Sequence, residues 1–172
     1  MTTSISRLQL LRGDFSGKKS PLRPPWAKQE AEFIASCERC GECIKACPEK
    51  ILETGRGLFP QINFQQGECT FCGLCVEHCP NDSLQQTDAL PWQIKAHIEA
   101  HCLPKQGVIC ITCGENCEAE AIHFPLSRIA VPEVNHDKCT GCGACYQACP
   151  VTAIVIVGWV ERSETHQRSP KL

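Results

Sequence analysis

Hydrophobic positions fall into brief runs separated by polar turns, so the chain predicts many short elements rather than a few long ones. Good helix formers dominate Ala27 to Ala35, and Phe33 and Ile34 give that stretch an apolar face, which predicts a short helix. Ile51-Leu52, a Gly55-Arg56-Gly57 turn and Phe59-Pro60-Gln61-Ile62-Asn63-Phe64 predict a β-hairpin. Ile94, Ala96 and Ile98 alternate with Lys95, His97 and Glu99, the period of a half-buried strand. Ala121-Ile122-His123-Phe124 and Ile129-Ala130-Val131 predict a second hairpin with His123 turned to solvent, and Ala153 to Val160 a terminal apolar strand. Asn81 to Ala89 reads as a polar linker, and residues 1–23 and 161–172 as a disordered leader and tail.

The residues between these runs change the picture. The 172-residue chain has 16 cysteines, a density that in a short secreted protein would mean a disulfide scaffold. Their spacing points elsewhere. Cys139, Cys142, Cys145 and Cys149, followed by Pro150, match C-x-x-C-x-x-C-x-x-x-C-P, the bacterial ferredoxin spacing that holds an iron–sulfur cubane. Thiolates two residues apart fold round one cluster, and the small Gly141, Gly143 and Ala144 let the backbone approach it. The same spacing recurs at Cys37, Cys40, Cys43 and Cys47 with Pro48, and at Cys69, Cys72, Cys75 and Cys79 with Pro80. A further group is irregular: Cys102, Cys110, Cys113 and Cys117, with Glu118 where proline stands elsewhere. Zinc, which prefers separated C-x-x-C pairs, is a remote alternative to [4Fe-4S] clusters.

A shift of 70 residues superposes Cys40, Cys43, Cys47, Cys69, Cys72, Cys75 and Cys79 on Cys110, Cys113, Cys117, Cys139, Cys142, Cys145 and Cys149. Pro60-Gln61-Ile62-Asn63 likewise resembles Pro132-Glu133-Val134-Asn135. The expected fold is therefore α+β, a tandem pair of bacterial two-cluster ferredoxin-like units over residues 24–90 and 91–160. Cys37 alone fails the shift. It is matched with Cys102 by assuming an insertion of Leu103 to Gly107, since Pro25-Trp26 and Pro91-Trp92 stand at similar distances before the two cysteines. Trp26 and Trp92 themselves read as packing residues. The alternative is a buried free thiol at Cys102, with the third site empty or holding a three-cysteine cluster.

In two-cluster ferredoxins the fourth cysteine of each run ligates the other cluster. Applied here, Cys37, Cys40 and Cys43 take Cys79, while Cys69, Cys72 and Cys75 take Cys47. Cys102, Cys110 and Cys113 take Cys149, and Cys139, Cys142 and Cys145 take Cys117. Such crossing makes cluster binding part of the folding energy.

Formal net charge is −2, and each oxidised cubane with four thiolates adds roughly two negative charges. The loaded protein is then acidic, which argues against nucleic acid. The chain has no G-x-G-x-x-G, no G-x-x-x-x-G-K-[ST] and no convincing triad, and His78 reads as a surface residue. The expectation is one-electron transfer by the clusters, without a catalytic residue or substrate site. No run of 18 apolar residues exists to span a membrane. Ser6-Arg7-Leu8-Gln9-Leu10-Leu11-Arg12 looks like a twin-arginine export signal whose second arginine is leucine, but polar Gly13 to Ser20 follows in place of an apolar region. It reads as a basic tail, or else as a partner-docking segment, of a cytoplasmic protein.

Arg23-Pro24-Pro25-Trp26, two regular quartets, a stretched third group and a regular fourth resemble the ferredoxin-type NapF family over roughly residues 5–157. The resemblance implies a cytoplasmic, cluster-rich protein that contacts the molybdenum-containing catalytic subunit of the periplasmic nitrate reductase before its export, delivering electrons or aiding maturation. Family members often carry three ferredoxin-type domains, so the resemblance leaves the Cys102 group open. A general electron carrier for another redox enzyme is the alternative function. Anaerobically purified protein is expected to be brown, with about four iron and four acid-labile sulfide per cluster. Colourless protein with stoichiometric zinc would contradict this.

Overall fold

The computed structural model describes residues 21–87 and 91–158. Its elements are short, as the apolar runs are: helices of 4 to 7 residues and strands of 2 to 5. The first half holds α1 (Glu30–Ser36), α2 (Glu42–Ala46), β1 (Leu52–Thr54), β2 (Pro60–Ile62) and α3 (Leu74–Glu77). The second holds β3 (Ile94–Ile98), a 3-10 turn (Leu103–Gln106), α4 (Thr112–Glu115), β4 (Ile122–His123), β5 (Glu133–Val134), α5 (Ala144–Ala148) and β6 (Ile154–Gly158). Three two-stranded antiparallel sheets result, β1 with β2, β3 with β6 and β4 with β5. This is an α+β arrangement of ferredoxin-like units. No described helix is long and apolar enough to cross a membrane.

Side-chain alternation sets the registers. Ile94, Ala96 and Ile98 of β3 are buried and face Gly158, Ile156 and Ile154 of β6. Among the described residues, the first half has no such pair. An isolated bridge between Ala27 and Leu84 stands in its place, flanked by Lys28 N–H to Ser83 O (3.1 Å) and Gln85 N–H to Trp26 O (2.9 Å). Two expectations change as a result. The helix starts at Glu30 rather than Ala27, because Ala27 is engaged in the bridge. Residues 81–87, within the stretch read as a linker, close the first unit: Ser83 and Leu84 are 1% and 3% exposed. Asn81 Oδ1 accepts a 2.6 Å hydrogen bond from the Ser83 hydroxyl, which satisfies that buried group.

The second hairpin also differs. β4 pairs with Glu133–Val134, not with Ile129-Ala130-Val131, and Ile122 stands opposite Val134. The far end of the strand decides the register. Asn135 Oδ1 accepts N–H bonds from Asp137 and Lys138, pinning the turn into Cys139. Asn135 N–H reaches Ala121 O at 2.7 Å, as Asn63 N–H reaches Ile51 O at 2.7 Å in the first hairpin. The run 129–131 is left in the connecting loop. His123 is exposed and lies 3.0 Å from the Glu133 carboxylate across the hairpin. The expected strand residues Trp159 and Val160, and the expected leader from Met1 to Ser20 and tail from Glu161, lie outside the described residues.

Phe33 anchors the first core. It is fully buried, with the Phe59 ring 6.1 Å away. The Arg23 guanidinium lies 5.1 Å from the Phe33 ring centre and binds Glu30 through two hydrogen bonds of 2.9 and 2.7 Å. Between the copies, Trp92 makes edge contacts with both Phe64 and Phe71, and Phe64 also meets Tyr146. Trp26 packs on Phe71 from the other side. Elements this short do not hold themselves together, so their stability comes from such tertiary contacts. Phe33→Ala is expected to cost about 3–5 kcal/mol, the usual price of an emptied aromatic site. It is measured as a lowered anaerobic denaturation midpoint of the cluster-loaded protein.

Candidate iron–sulfur centres

Each cysteine motif builds the same local structure. Its first two cysteines lie in a loop and its third sits in a short helix, as Cys43 does in α2, Cys75 in α3, Cys113 in α4 and Cys145 in α5. The fourth cysteine follows that helix, and the chain then turns sharply. Lys50, Asp82, Glu120 and Thr152, each three residues beyond the fourth cysteine, have φ of 54, 53, 47 and 51°. The left-handed conformation costs a non-glycine residue roughly 1–2 kcal/mol. Burial of the next residue offsets it: Ile51, Ser83, Ala121 and Ala153 are 2, 1, 1 and 0% exposed. The turn is the same after Glu118 as after Pro48, Pro80 and Pro150, so the missing proline does not alter the third motif's exit.

Four cavities among the described residues are each lined by four cysteines. Cys37, Cys40, Cys43 and Cys79 share one. Cys47, Cys69, Cys72 and Cys75 share the second, and Cys117, Cys139, Cys142 and Cys145 the third. Cys102, Cys110, Cys113 and Cys149 share the fourth. In every case the fourth cysteine of a motif stands in the cavity of its neighbour. The irregular group's cavity is comparable in extent to the others, each enclosing about 320 to 360 Å3 that includes space open to solvent.

Cys102 reaches its cavity by a route of its own. Leu103–Gln106 forms a 3-10 turn that starts at Cys102 and ends at Gly107, whose φ of 85° suits glycine. These are the five residues by which the second copy is longer, and they are wound into a compact turn that keeps Cys102 buried. The regular loops carry left-handed residues on both sides of the second cysteine: Arg39 and Gly41, Phe71 and Gly73, Gly141 and Gly143. Ile109 and Ile111, at the matching places around Cys110, do not adopt that conformation. The stretched group therefore approaches its cavity with a different backbone while presenting the same four thiols.

The donor chemistry fits a cluster. Burial pushes the Cys43, Cys69, Cys75 and Cys145 thiols up to about 12, and neighbouring thiols add to this at each position. Cys113 rises to about 11 and Cys102 also rises, both chiefly through burial. Ionising the buried thiols among them is unfavourable without cations to offset the charge, and the iron of a cubane would supply those cations. A single ion suits the geometry poorly. Among the described residues no three His, Cys, Asp or Glu side chains converge closely enough to hold one metal ion. The thiols instead surround a space.

Backbone amides also point at the sulfurs. Cys69, Cys117 and Cys149 Sγ accept N–H bonds from Phe71, Ala121 and Ala153 at 3.4, 3.3 and 3.2 Å. Such donors tune the potential of a cluster. No sequence signal marks them, because any residue supplies an amide. His78 is exposed, with Nδ1 3.0 Å from Leu74 O, and takes no part in a cavity lining.

Comparison with known proteins agrees with this chemistry. Residues 36–83 match the 4Fe-4S dicluster domain, and residues 132–155 match the 4Fe-4S binding domain. The irregular group Cys102, Cys110, Cys113 and Cys117 falls between the two matches. The chain is 44% identical to the ferredoxin-type protein NapF of Haemophilus influenzae, over 89% of this chain and 94% of that protein. It is 39% identical to NapF of Escherichia coli K12, over 90% and 95% respectively. The ferredoxin-type protein NapG of Haemophilus influenzae is 31% identical over 88% of this chain and 69% of its own length. With cysteine-lined cavities in both halves, matches to 4Fe-4S domains and this degree of identity over nearly the whole length of its relatives, the chain belongs to the ferredoxin-type NapF family of 4Fe-4S proteins.

Proposed function

We propose that the protein binds four [4Fe-4S] clusters, one in each cysteine-lined cavity, and moves electrons one at a time in the cytoplasm. The ligand sets are those that share a cavity, each made of three cysteines of one motif and the fourth of its neighbour. The observation that carries the reading is that the stretched Cys102 group gathers four thiols around one cavity, as each regular group does. The two units, residues 24–90 and 91–160, each hold two clusters. The protein needs no substrate pocket of its own, because the clusters are the reactive groups and the chain sets their potential and partner.

The partner follows from family resemblance. It is the molybdenum-containing catalytic subunit of the periplasmic nitrate reductase, met before export, with electrons delivered to it or spent on its maturation. Membership of the NapF family and the likeness to NapG support this choice.

Two experiments test the proposal. Cys102→Ala is expected to lower bound iron by about four per chain in anaerobically prepared protein. Iron that stays at the unaltered level would remove Cys102 from the ligand set. Replacing Cys142 and Cys145 together is expected to leave the catalytic subunit with reduced activity in cells that depend on this protein. A doubly substituted chain that still binds and matures the subunit normally would show that redox chemistry is not its task.

A further inference from the structure

The four cavities do not lie at random with respect to one another. Within the first copy α2, which carries Cys43, packs on α3, which carries Cys75 of the next cavity. Within the second copy α4, which carries Cys113, packs on α5, which carries Cys145. These are the contacts that crossed ligands impose inside each unit. The contact between the copies has a different origin. The Cys69 N–H donates a 2.8 Å hydrogen bond to the Cys142 carbonyl, which joins the cysteine loops of the two copies directly.

This junction is built rather than incidental. Phe64 of the first copy presses on Gly143, where a Cβ would run into its ring, so the Cys142-Gly143 backbone approaches only because position 143 has no side chain. A Cβ on Gly141 would likewise strike the Ile94 carbonyl. The Trp92 indole N–H binds Thr140 O at 2.8 Å while its ring meets Phe64 and Phe71. Lys95 Nζ holds Cys139 O at 2.6 Å from the adjoining strand. The loop of Cys139 to Cys145 thus meets the loop of Cys69 to Cys75 through one backbone hydrogen bond, to the Cys142 carbonyl, while Trp92 and Lys95 fix the Thr140 and Cys139 carbonyls within the second copy and the Trp92 ring packs on Phe64 and Phe71 of the first.

We infer that the four centres form one single-file electron path, in the order Cys37 group, Cys69 group, Cys139 group, Cys102 group, with the step between copies taken across Cys69 and Cys142. The inference rests on the reading that each cavity holds a cluster. An electron entering at either end then crosses the whole molecule by three one-electron steps, each cluster being reduced as its neighbour is oxidised. The aromatic side chains Phe64 and Trp92 are positioning residues for the middle step, since they hold the two cysteine loops together. The duplicated protein is accordingly one conductor with its ends in different copies, not two independent two-cluster ferredoxins.

Electron paramagnetic resonance of the full-length, cluster-loaded chain tests this. In one variant Cys37 and Cys40 are both replaced by alanine, which removes the centre at one end. In another Cys102 and Cys110 are replaced, which removes the centre at the other end. Either variant leaves an inner centre whose only remaining neighbour lies in the other copy. On full reduction each variant is expected to show spin-coupled, broadened signals and no isolated S = 1/2 signal. An isolated signal integrating to one spin per chain in either variant would show two separate pairs and overturn the single file. Iron analysis of the same samples keeps the underlying reading apart. Loss of about four iron per variant is expected, and unchanged iron would instead refute the assignment of a cluster to the altered cavity. The two variants alter different units, so a folding defect in one leaves the other to decide. Trp92→Ala keeps every thiol and is expected to weaken the coupling between copies with iron content unchanged, whereas unaltered coupling would remove Trp92 from its positioning role.

Discussion

The exchange of fourth cysteines between neighbouring cavities is the constraint on which the structure depends. A thiol in a dry pocket resists ionisation, and Cys43, Cys75 and Cys145 are pushed up to about 12 mainly for that reason. Ionising these buried thiols beside their cysteine neighbours is unfavourable until cationic iron replaces the protons, so cluster binding and folding are one event. Because each cavity borrows a cysteine from the adjacent motif, neither half of a unit is complete alone. The short helices and strands between the cysteines then need only modest cores, and Cys43, Cys75, Cys102, Cys113, Cys139 and Cys145 are themselves core residues.

The turn after each fourth cysteine makes the exchange possible. It reverses the chain within a few residues and aims a buried residue inward, with one left-handed φ after every motif. Lys50, Asp82, Glu120 and Thr152 share no side-chain chemistry, which shows that the surrounding fold imposes the conformation. Glu118 confirms the point from the other direction, since the turn persists there without proline.

Much of this was legible in the sequence, and the reasons for what was not are physical. Cysteine spacing is set by the size of a cluster and survives divergence of everything between, so the 70-residue repeat showed the paired architecture. The same repeat placed Pro132-Glu133-Val134-Asn135 on the first hairpin's return strand, whereas the apolar run Ile129-Ala130-Val131 pointed to the wrong residues. Hydrophobicity failed there because a two-residue strand is held by its backbone and by the Asn135 turn more than by burial. It failed again at Ser83, a polar residue that is buried because Asn81 satisfies its hydroxyl. The amides at Ala121 and Ala153 were invisible altogether, being backbone groups placed by tertiary geometry.

Those amides separate two copies that the cysteine pattern makes look equivalent. In the second copy both fourth cysteines, Cys117 and Cys149, accept an N–H from the residue four positions on. In the first copy the Cys79 sulfur instead lies 3.3 Å from Asn81 Oδ1, and the N–H of Ser83 is directed to that same oxygen. An amide donor draws negative charge from a cluster sulfur and so favours the reduced state, whereas a carbonyl oxygen beside the sulfur does not. Duplication thus supplied two similar scaffolds, and the bridge at Ala27 and Leu84 in one against the β3–β6 sheet in the other set their sulfurs in different fields. Cys79 thus sits in surroundings unlike those of Cys117 and Cys149, although each stands four residues after the third cysteine of its motif.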